Sequence, residues 1–247
     1  MESDAYLKMS QVERTHWWYV ARRQIVRSQI ERLGLKTNAL VLEVGSGTGG
    51  NFPLLSNFGP VSAIEMDAGA REIAKNSIAG TTVDLRAGKL PEDNPFADMK
   101  FDLVVMLDVL EHIEDDDGTM KALFACMETS GKILITVPAY QWLWGPHDKV
   151  LHHKRRYTRT ELRRVIEGAG LKVRKISYFN TFLFPLVALI RVAESLTGSN
   201  KVRGQDKPGD AMNRMLKMVF ASERHVLKGM NFPFGVSLIC IAEKTNG

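Results

Sequence analysis

The chain has little cysteine: two residues in 247, Cys126 and Cys240. They are too few for a disulfide framework and have no metal or redox spacing, so both read as buried thiols. It has no apolar run near the roughly 20 residues that a bilayer-spanning helix needs. The apolar stretch at 182–192 is about half that length and contains Pro185. The opening residues, MESDAYLKM, have no apolar core of the signal-peptide kind, which predicts a cytoplasmic protein. There is no internal repeat and no low-complexity tract, which excludes solenoids and arrays. Charge of one sign is not in great excess. Lys and Arg number 33 against 28 Asp and Glu, a net +5 with a pI near 9.2. An anionic partner and an ordinary solvated surface explain that balance equally well. What remains is 45% apolar and 25% charged, enough for one large domain with a substantial core.

The most informative segment is VLEVGSGTGGN, residues 41–51. Val41, Leu42, Glu43 and Val44 form a buried strand that stops at Gly45, Gly47 and Gly49. Glycines there permit positive φ and let backbone approach a ligand closely. A helix opening next would point its free N–H groups at that ligand. The spacing G-x-G-x-G departs from the G-x-G-x-x-G dinucleotide fingerprint. A second apolar run, residues 61–64, ends in Glu65, a carboxylate able to accept from both hydroxyls of a ribose. A third, FDLVVML at 101–107, runs into Asp108-Val-Leu-Glu-His. Strands are expected at about 39–44, 61–65, 82–86, 101–107, 132–137, 172–179 and 235–244. Helices are expected over 1–35, 68–78, 118–129 and after the Thr158–Glu161 capping box. Alternation of this kind argues a parallel sheet covered on both faces.

VLEVGSGTGG, AIEMD and FDLVVMLDVLEHIED together resemble the class I S-adenosylmethionine-dependent methyltransferases over about residues 36–176. They are closest to the ubiquinone-pathway branch that acts on small molecules. The resemblance implies an α/β fold with a Rossmann-like, mostly parallel seven-stranded sheet flanked by helices, its last strand antiparallel. Residues 1–35 would be a helical lid, 36–180 the cofactor-binding core, 181–231 a helical insert and 232–247 the last strand, all within one domain. It assigns to S-adenosyl-L-methionine the loop residues Glu43, Gly45, Ser46, Gly47 and Gly49, with Glu65 and Met66 at the ribose. Leu107 and Asp108 would lie beside the methionine moiety. The family often carries an acidic residue after the third strand for the adenine. Here that position reads Arg86-Ala87-Gly88-Lys89-Leu90, so Lys89 and Leu90 are expected to line the pocket through backbone atoms.

The chemistry of the acceptor side leaves alternatives. Asp108, Glu111 and His112 fall at i, i+3 and i+4, one face if the turn is helical. This D-x-x-E-H resembles the E-x-x-E-H of ubiquinone-pathway O-methyltransferases and of small-RNA 2′-O-methyltransferases, the latter with magnesium. Asp108, Glu111 and His112 with His147, or with His152 or His153, are therefore candidate ligands of a divalent metal, for which Mg²⁺, Zn²⁺ and Fe²⁺ all suit parts of the set. Without metal, His112 is a candidate general base or a group that orients a neighbour. In PHDKVLHHKRRYT, residues 146–158, His147 and Asp148 are a candidate base and its orienting carboxylate. Lys154, Arg155 and Arg156 are candidates to hold an acceptor's phosphate or carboxylate, or else belong to a solvated loop.

Trp17, Trp18 and Tyr19 either cover the cofactor or pack a helix. The stretch at 182–192, followed by basic residues, either packs on the sheet, walls a pocket for a greasy acceptor, or lies at a membrane surface. The expected function is methylation, at oxygen, of a small-molecule or lipid-like acceptor, in the cytoplasm or peripherally at the inner membrane face. A nucleic-acid methyltransferase would want N/D-P-P-Y/F after the fourth strand, where this chain has LDVLEH; nucleic acid is therefore not the expected partner. A non-catalytic cofactor-binding protein on the same fold is the other alternative.

Overall fold

The computed structural model describes residues 3–78, 82–197 and 207–245. Seven strands form one sheet: β1 (Val41–Val44), β2 (Val61–Glu65), β3 (Val83–Ala87), β4 (Phe101–Leu107), β5 (Met127–Pro138), β6 (Leu171–Phe179) and β7 (Ser237–Lys244). Their order is β3-β2-β1-β4-β5-β7-β6. The first five run parallel, and β7 is antiparallel to both its neighbours. This is the Rossmann-like, mostly parallel sheet expected from the sequence. Val41, Leu42, Leu103, Val104, Ile133 and Leu134 are fully buried. Strands covered on both faces are apolar throughout rather than alternating. Edge strand β3, VDLRA, does alternate with solvent.

The helices among the described residues are α1 (Ser3–Val12), α2 (Trp17–Ile30), α3 (Phe52–Leu55), α4 (Ala68–Ile78), α5 (Asp116–Ala125), α6 (Pro146–Val150), α7 (Arg159–Gly168), α8 (Phe184–Thr197) and α9 (Asp210–Val226). Three differ from the sequence reading. The helical stretch before β1 breaks at residues 13–16, where the His16 side chain caps α2 by accepting from the Trp18 amide. The helix expected to reach residue 129 stops at Ala125. Met127, four residues after Leu123, continues the apolar spacing of a helix, yet its backbone is already extended and pairs with Phe101. The long loop after β5 is closed at its base, since Tyr140 donates to the Tyr157 carbonyl and Tyr157 to that of Pro138 (both 3.0 Å). Within it, Gln141–Leu143 forms a 3-10 turn before α6. The box Thr158–Glu161 caps α7 as expected.

The stretch before β7 holds α8 and α9. Asn213 of α9 accepts from the Trp17 amide (2.8 Å) and donates to the Thr15 carbonyl (2.9 Å), and Phe220 meets the Trp17 ring edge-on. Glu223 is fully buried and accepts from the amides of Thr181 and Phe182 (2.6 and 2.8 Å), tying the corner before α8 to α9.

Burial pushes the Glu223 carboxyl up to about 7 against the pull of those amides. Its folded-state value lies above the unfolded one, so its contribution to stability is complete below the unfolded pKa of about 4.3 and is lost as pH rises through about 7. Glu223→Gln keeps an acceptor and removes the titration. In denaturant unfolding the wild type should lose on the order of 1 kcal/mol more than Glu223→Gln between pH 6 and pH 8. Parallel pH profiles for the two proteins would exclude a titrating Glu223.

Candidate active site

Parallel pairing sets the ends of β2, β1 and β4 level: Val44 lies beside Ile64 on one side and Met106 on the other. The chain leaves β1 for β2 and β3 and returns beyond β1 to begin β4. A ligand crevice is expected where the direction of winding switches. A cavity of about 1060 Å³ opens there, at the top of the range for small-molecule sites.

Gly45, Gly47 and Gly49 all have positive φ, at 68°, 55° and 78°. Gly45 has a second reason to be bare. A Cβ there would lie 2.6 Å from a methyl of Val109, in the loop that follows β4. At Gly49 the obstacle is the Phe52 ring, also at 2.6 Å. Glu65 at the end of β2 is buried and held by two backbone donors. Its Oε2 accepts from the Gly47 amide (2.8 Å) and its Oε1 from the Asp67 amide (2.9 Å). Each oxygen retains a lone pair for a further donor. Burial raises its pKa, against the pull of both amides. Asp67 caps α4 through the Ala70 amide.

Gly45, Ser46, Gly47, Glu65, Met66, Lys89, Leu90, Leu107 and Asp108 line the cavity. Glu43 and Gly49 do not. Glu43 lies behind the loop, bonded to Asn51 (2.8 Å), and burial lifts its pKa to about 7. Asn51 itself does reach the cavity. Tyr6 and Met9 of α1, Glu13 of the break after it, and Trp17, Trp18 and Arg22 of α2 close its other side. Glu13 accepts from the Thr48 hydroxyl of the glycine loop (2.8 Å).

Asp108 does not share a helical face with Glu111 and His112. Its backbone is left-handed (φ 58°), and the 3-10 turn begins only at Leu110. Its carboxylate pairs with Arg22, whose guanidinium stacks 4.5 Å over the Trp18 ring. Sequence reasoning missed Arg22, although it stands in the HWWYVARR segment. A salt-bridge partner 86 residues away leaves no local mark.

Glu111, His112 and His153 come together instead, one ligand atom of each within 4.8 Å of the others. His147 is outside this group, and so is Asp108. Asp148 is not the partner of His147 either. Burial alone would raise its pKa, but bonds from His153 Nδ1 (2.9 Å), Arg156 (2.8 and 3.0 Å) and the Gly145 amide hold it well below the usual carboxylate range. An ionised Asp148 makes His153 the donor at Nδ1 and turns Nε2 toward Glu111. That nitrogen lies 4.0 Å from Glu111 Oε1, too far for a hydrogen bond. Glu111 is fully buried, and neither carboxylate oxygen has a hydrogen-bond partner among the described residues. Burial and the Asp108 charge raise its pKa well above the ordinary value. Burial lowers His112 to about 3, with His153 adding to the effect, and lowers His147 to about 4. Both are neutral bases near pH 7. His147 Nδ1 is buried and without a partner among the described residues.

The basic run is ion-paired, Arg156 in a buried pair and Lys154 in a solvent-exposed one. Arg156 is bound to Asp148, Arg155 pairs with Asp116 (2.9 Å), and Lys154 with Glu114 (3.6 Å).

Comparison with known proteins agrees with this architecture. A family model described as a methyltransferase domain matches residues 17–176. A probable S-adenosylmethionine-dependent methyltransferase of Mycolicibacterium smegmatis is 29% identical over 135 residues, 54% of this chain and 52% of that protein, so the match spans about half the relative's length. A chain of the complex between the Haloferax volcanii Trm112 methyltransferase activator and a methyltransferase superposes with a TM-score of 0.65 at 16% identity. That match covers 99% of this chain and 96% of the other. Phosphoethanolamine N-methyltransferase 2 of Haemonchus contortus, in complex with S-adenosyl-L-methionine, superposes at 0.57 with 18% identity, over 88% and 51% of the two chains.

Gly45→Ala should be destabilising by about 1–2 kcal/mol from φ alone, plus the cost of displacing Val109. The double variant Gly45→Ala/Val109→Ala should recover the second part and not the first, an interaction that a double-mutant cycle of unfolding free energies reads directly. Strict additivity would show that Val109 does not press on the loop.

Proposed function

Because the chain belongs to the family of methyltransferase domains, we propose that it transfers the methyl group of S-adenosyl-L-methionine to a small-molecule or lipid-like acceptor, at an oxygen. The observation that carries the cofactor side is Glu65, a buried carboxylate at a strand end, oriented by two amides with lone pairs to spare for both ribose hydroxyls. Gly45, Ser46 and Gly47 then serve the methionine end together with Leu107 and Asp108. Met66 stands beside Glu65 at the ribose, and Lys89 and Leu90 border the adenine. Glu43 and Gly49 support the loop from behind. The Arg22–Asp108 pair lies at the methionine end, where charges of both signs complement an ammonium and a carboxylate.

S-adenosyl-L-methionine supplies a methyl group already activated on a sulfonium, so the chain's task is to bring an acceptor oxygen in line with it and exclude water. A bond from that oxygen to the methyl carbon forms as the sulfur–carbon bond breaks, and the acceptor's proton must leave. His112 and His147 line the cavity and are neutral, which suits either to take that proton. Asp148 acts on His153 rather than on a base of its own. The ion-paired state of Lys154, Arg155 and Arg156 speaks against a strip for nucleic-acid phosphates. No helix among the described residues is long and apolar enough to cross a membrane.

A second reading has a specific observation in its favour. Two buried, unpartnered oxygens of Glu111 face Nε2 of His153, and His112 stands 4.6 Å from the His153 ring. Electron-rich atoms arranged in this way fit a divalent cation, held by Glu111, His112 and His153. The Asp148–His153 bond is the outer-shell contact that metal-binding histidines usually make. Such an ion would supply a Lewis acid for the acceptor hydroxyl, and the proton would then fall to His147.

Two experiments test these readings. Glu65→Ala removes a charged acceptor worth roughly 1.5–3 kcal/mol, so calorimetry should show S-adenosyl-L-methionine affinity falling about 10- to 150-fold in a folded variant. Unchanged affinity removes Glu65 from the ribose. For the metal, mass spectrometry of the purified protein should find a divalent ion in wild type that is lost in Glu111→Gln and in His153→Ala. A metal-free wild type that no divalent ion binds by calorimetry, with turnover intact after chelation, leaves His112 as a base or a structural group only, with His147 the other candidate base.

A further inference from the structure

Glu13, at the break between α1 and α2, brings a carboxylate to the glycine loop from outside the sheet. It is buried and lines the cavity. Its Oε2 accepts from the Thr48 hydroxyl (2.8 Å). Its Oε1 accepts no hydrogen bond among the described residues and is not fully buried. The side chain lies on the loop itself, in the volume that a Cβ at Gly50 would need. Gly50 does not have a positive φ, so it is the Glu13 carboxylate, and not the backbone, that keeps this glycine bare.

Tyr6, Met9 and Glu13 follow one another at i, i+3 and i+7, one side of the segment. Tyr6 stands at the ribose end: burial raises its hydroxyl pKa, and the charges of Glu65 and Asp67 add to the rise. The Met9 methyl lies 3.2 Å from the place a Cβ of Gly47 would take. Tyr19 marks where Glu13 falls. Burial raises the Tyr19 pKa, Arg22 opposes the rise, and Glu13 and Asp108 both add to it, so the two carboxylates stand near one ring. Their states differ. Asp108 is paired with Arg22, and of the other acids in the lining Glu92 pairs with Lys89 (3.3 Å) and Glu114 with Lys154 (3.6 Å). Glu13 makes no ion pair among the described residues, and Arg23 donates to its backbone carbonyl rather than to its carboxylate. Burial raises the Glu13 pKa, against the pull of Thr48 and Arg23. A buried carboxylate with one hydroxyl for a partner is undercompensated, and a cation brought to its free oxygen would be held strongly.

We propose that Glu13 is the counter-charge for the α-ammonium of S-adenosyl-L-methionine. This role presupposes the cofactor reading, with the ribose on Glu65. The acid of the first strand, Glu43, does not take it, because its carboxylate is bonded to Asn51 behind the loop. Arg22 and Asp108 cancel one another, and the ammonium then meets the one charge at this end that has no opposite. Oε1 accepts from the ammonium while Oε2 stays on Thr48. Glu13 precedes the sheet and Thr48 belongs to the glycine loop, so the contact joins the two sides of the cavity across the amino-acid end of the ligand. A ligand with the same nucleoside and no amino group leaves the buried carboxylate unanswered and is discriminated against. A Glu13 that served only to tie the start of α2 to Thr48 would not distinguish the two.

The test is a cycle of calorimetric titrations of the full chain with two ligands. One is S-adenosyl-L-homocysteine, which has the amino-acid end of the cofactor; the other is its deaminated analogue, with hydrogen in place of the α-amino group. The proteins are wild type and Glu13→Gln, which keeps an acceptor for Thr48 and removes the charge. Hydrogen bonds to charged groups are worth about 10- to 150-fold in affinity, so wild type should prefer the amino ligand by about tenfold or more. Glu13→Gln should weaken the amino ligand by about tenfold or more without weakening the deaminated one, so that the preference shrinks. Equal loss for both ligands gives Glu13 a structural part only and overturns the proposal, as does an unchanged preference. Equal affinity of wild type for the two ligands overturns it as well, a comparison that stands even where Glu13→Gln fails to fold. Glu65→Ala, titrated alongside, should weaken both ligands alike, since both carry the ribose. If it weakens neither, the ribose assignment fails and takes the role of Glu13 with it. If it weakens both while Glu13→Gln leaves the preference intact, the role of Glu13 alone falls.

Discussion

Parallel register at the centre of the sheet is the constraint on which the site depends. With Val44 level with Ile64 and Met106, the residues that follow each strand open on one crevice. A slip of one residue would turn every side chain of β1 to the other face and carry the glycine turn away from Glu65. The register also makes the loops collide. Val109 occupies the volume that a Cβ at Gly45 would need, while the Gly47 amide reaches across to Glu65. The glycine turn is bare because its neighbours lie on it, as much as because its φ values are positive.

A second layer is organised by one buried carboxylate. A charge removed from water is costly unless its lone pairs are filled. Asp148 accepts from a guanidinium, an imidazole and a backbone amide, and removing any one would leave the charge undercompensated. The arrangement fixes the His153 ring with Nε2 toward Glu111. In addition, the Lys154 amide donates to the Glu111 carbonyl (2.7 Å), which ties the loop after β5 to the turn after β4. Arg156, from the basic run of this loop, is thereby consumed in building it.

The third element is the joining of the two chain regions outside the sheet. α9 runs along α2, with Asn213 bonded on both sides of the break that begins α2. The helices that cover the glycine loop and the insert that walls the opposite side of the cavity therefore share one interface, and Glu223 extends it to the start of α8. Apolar surface is buried where these pieces meet, at Phe220 against Trp17 and Phe179, and left exposed on the far side of α8.

Much of this was legible in the sequence because it is encoded locally. Apolar runs of strand length fixed five parallel strands, the three glycines fixed the turn after β1, and a carboxylate at the end of the second run fixed Glu65. The capping box at Thr158–Glu161 likewise needs only neighbouring residues. What the sequence could not decide depends on partners far along the chain. Asp108 leaves the helical face that its spacing suggested, because its backbone turns left-handed and Arg22 takes its carboxylate. His153 stands with Glu111 and His112 where His147 was equally eligible, because Asp148 and Arg156 hold its ring. Spacing states which side chains share a local face; which charge is neutralised, and which nitrogen keeps its lone pair, follows only from packing that brings distant residues into hydrogen-bond range.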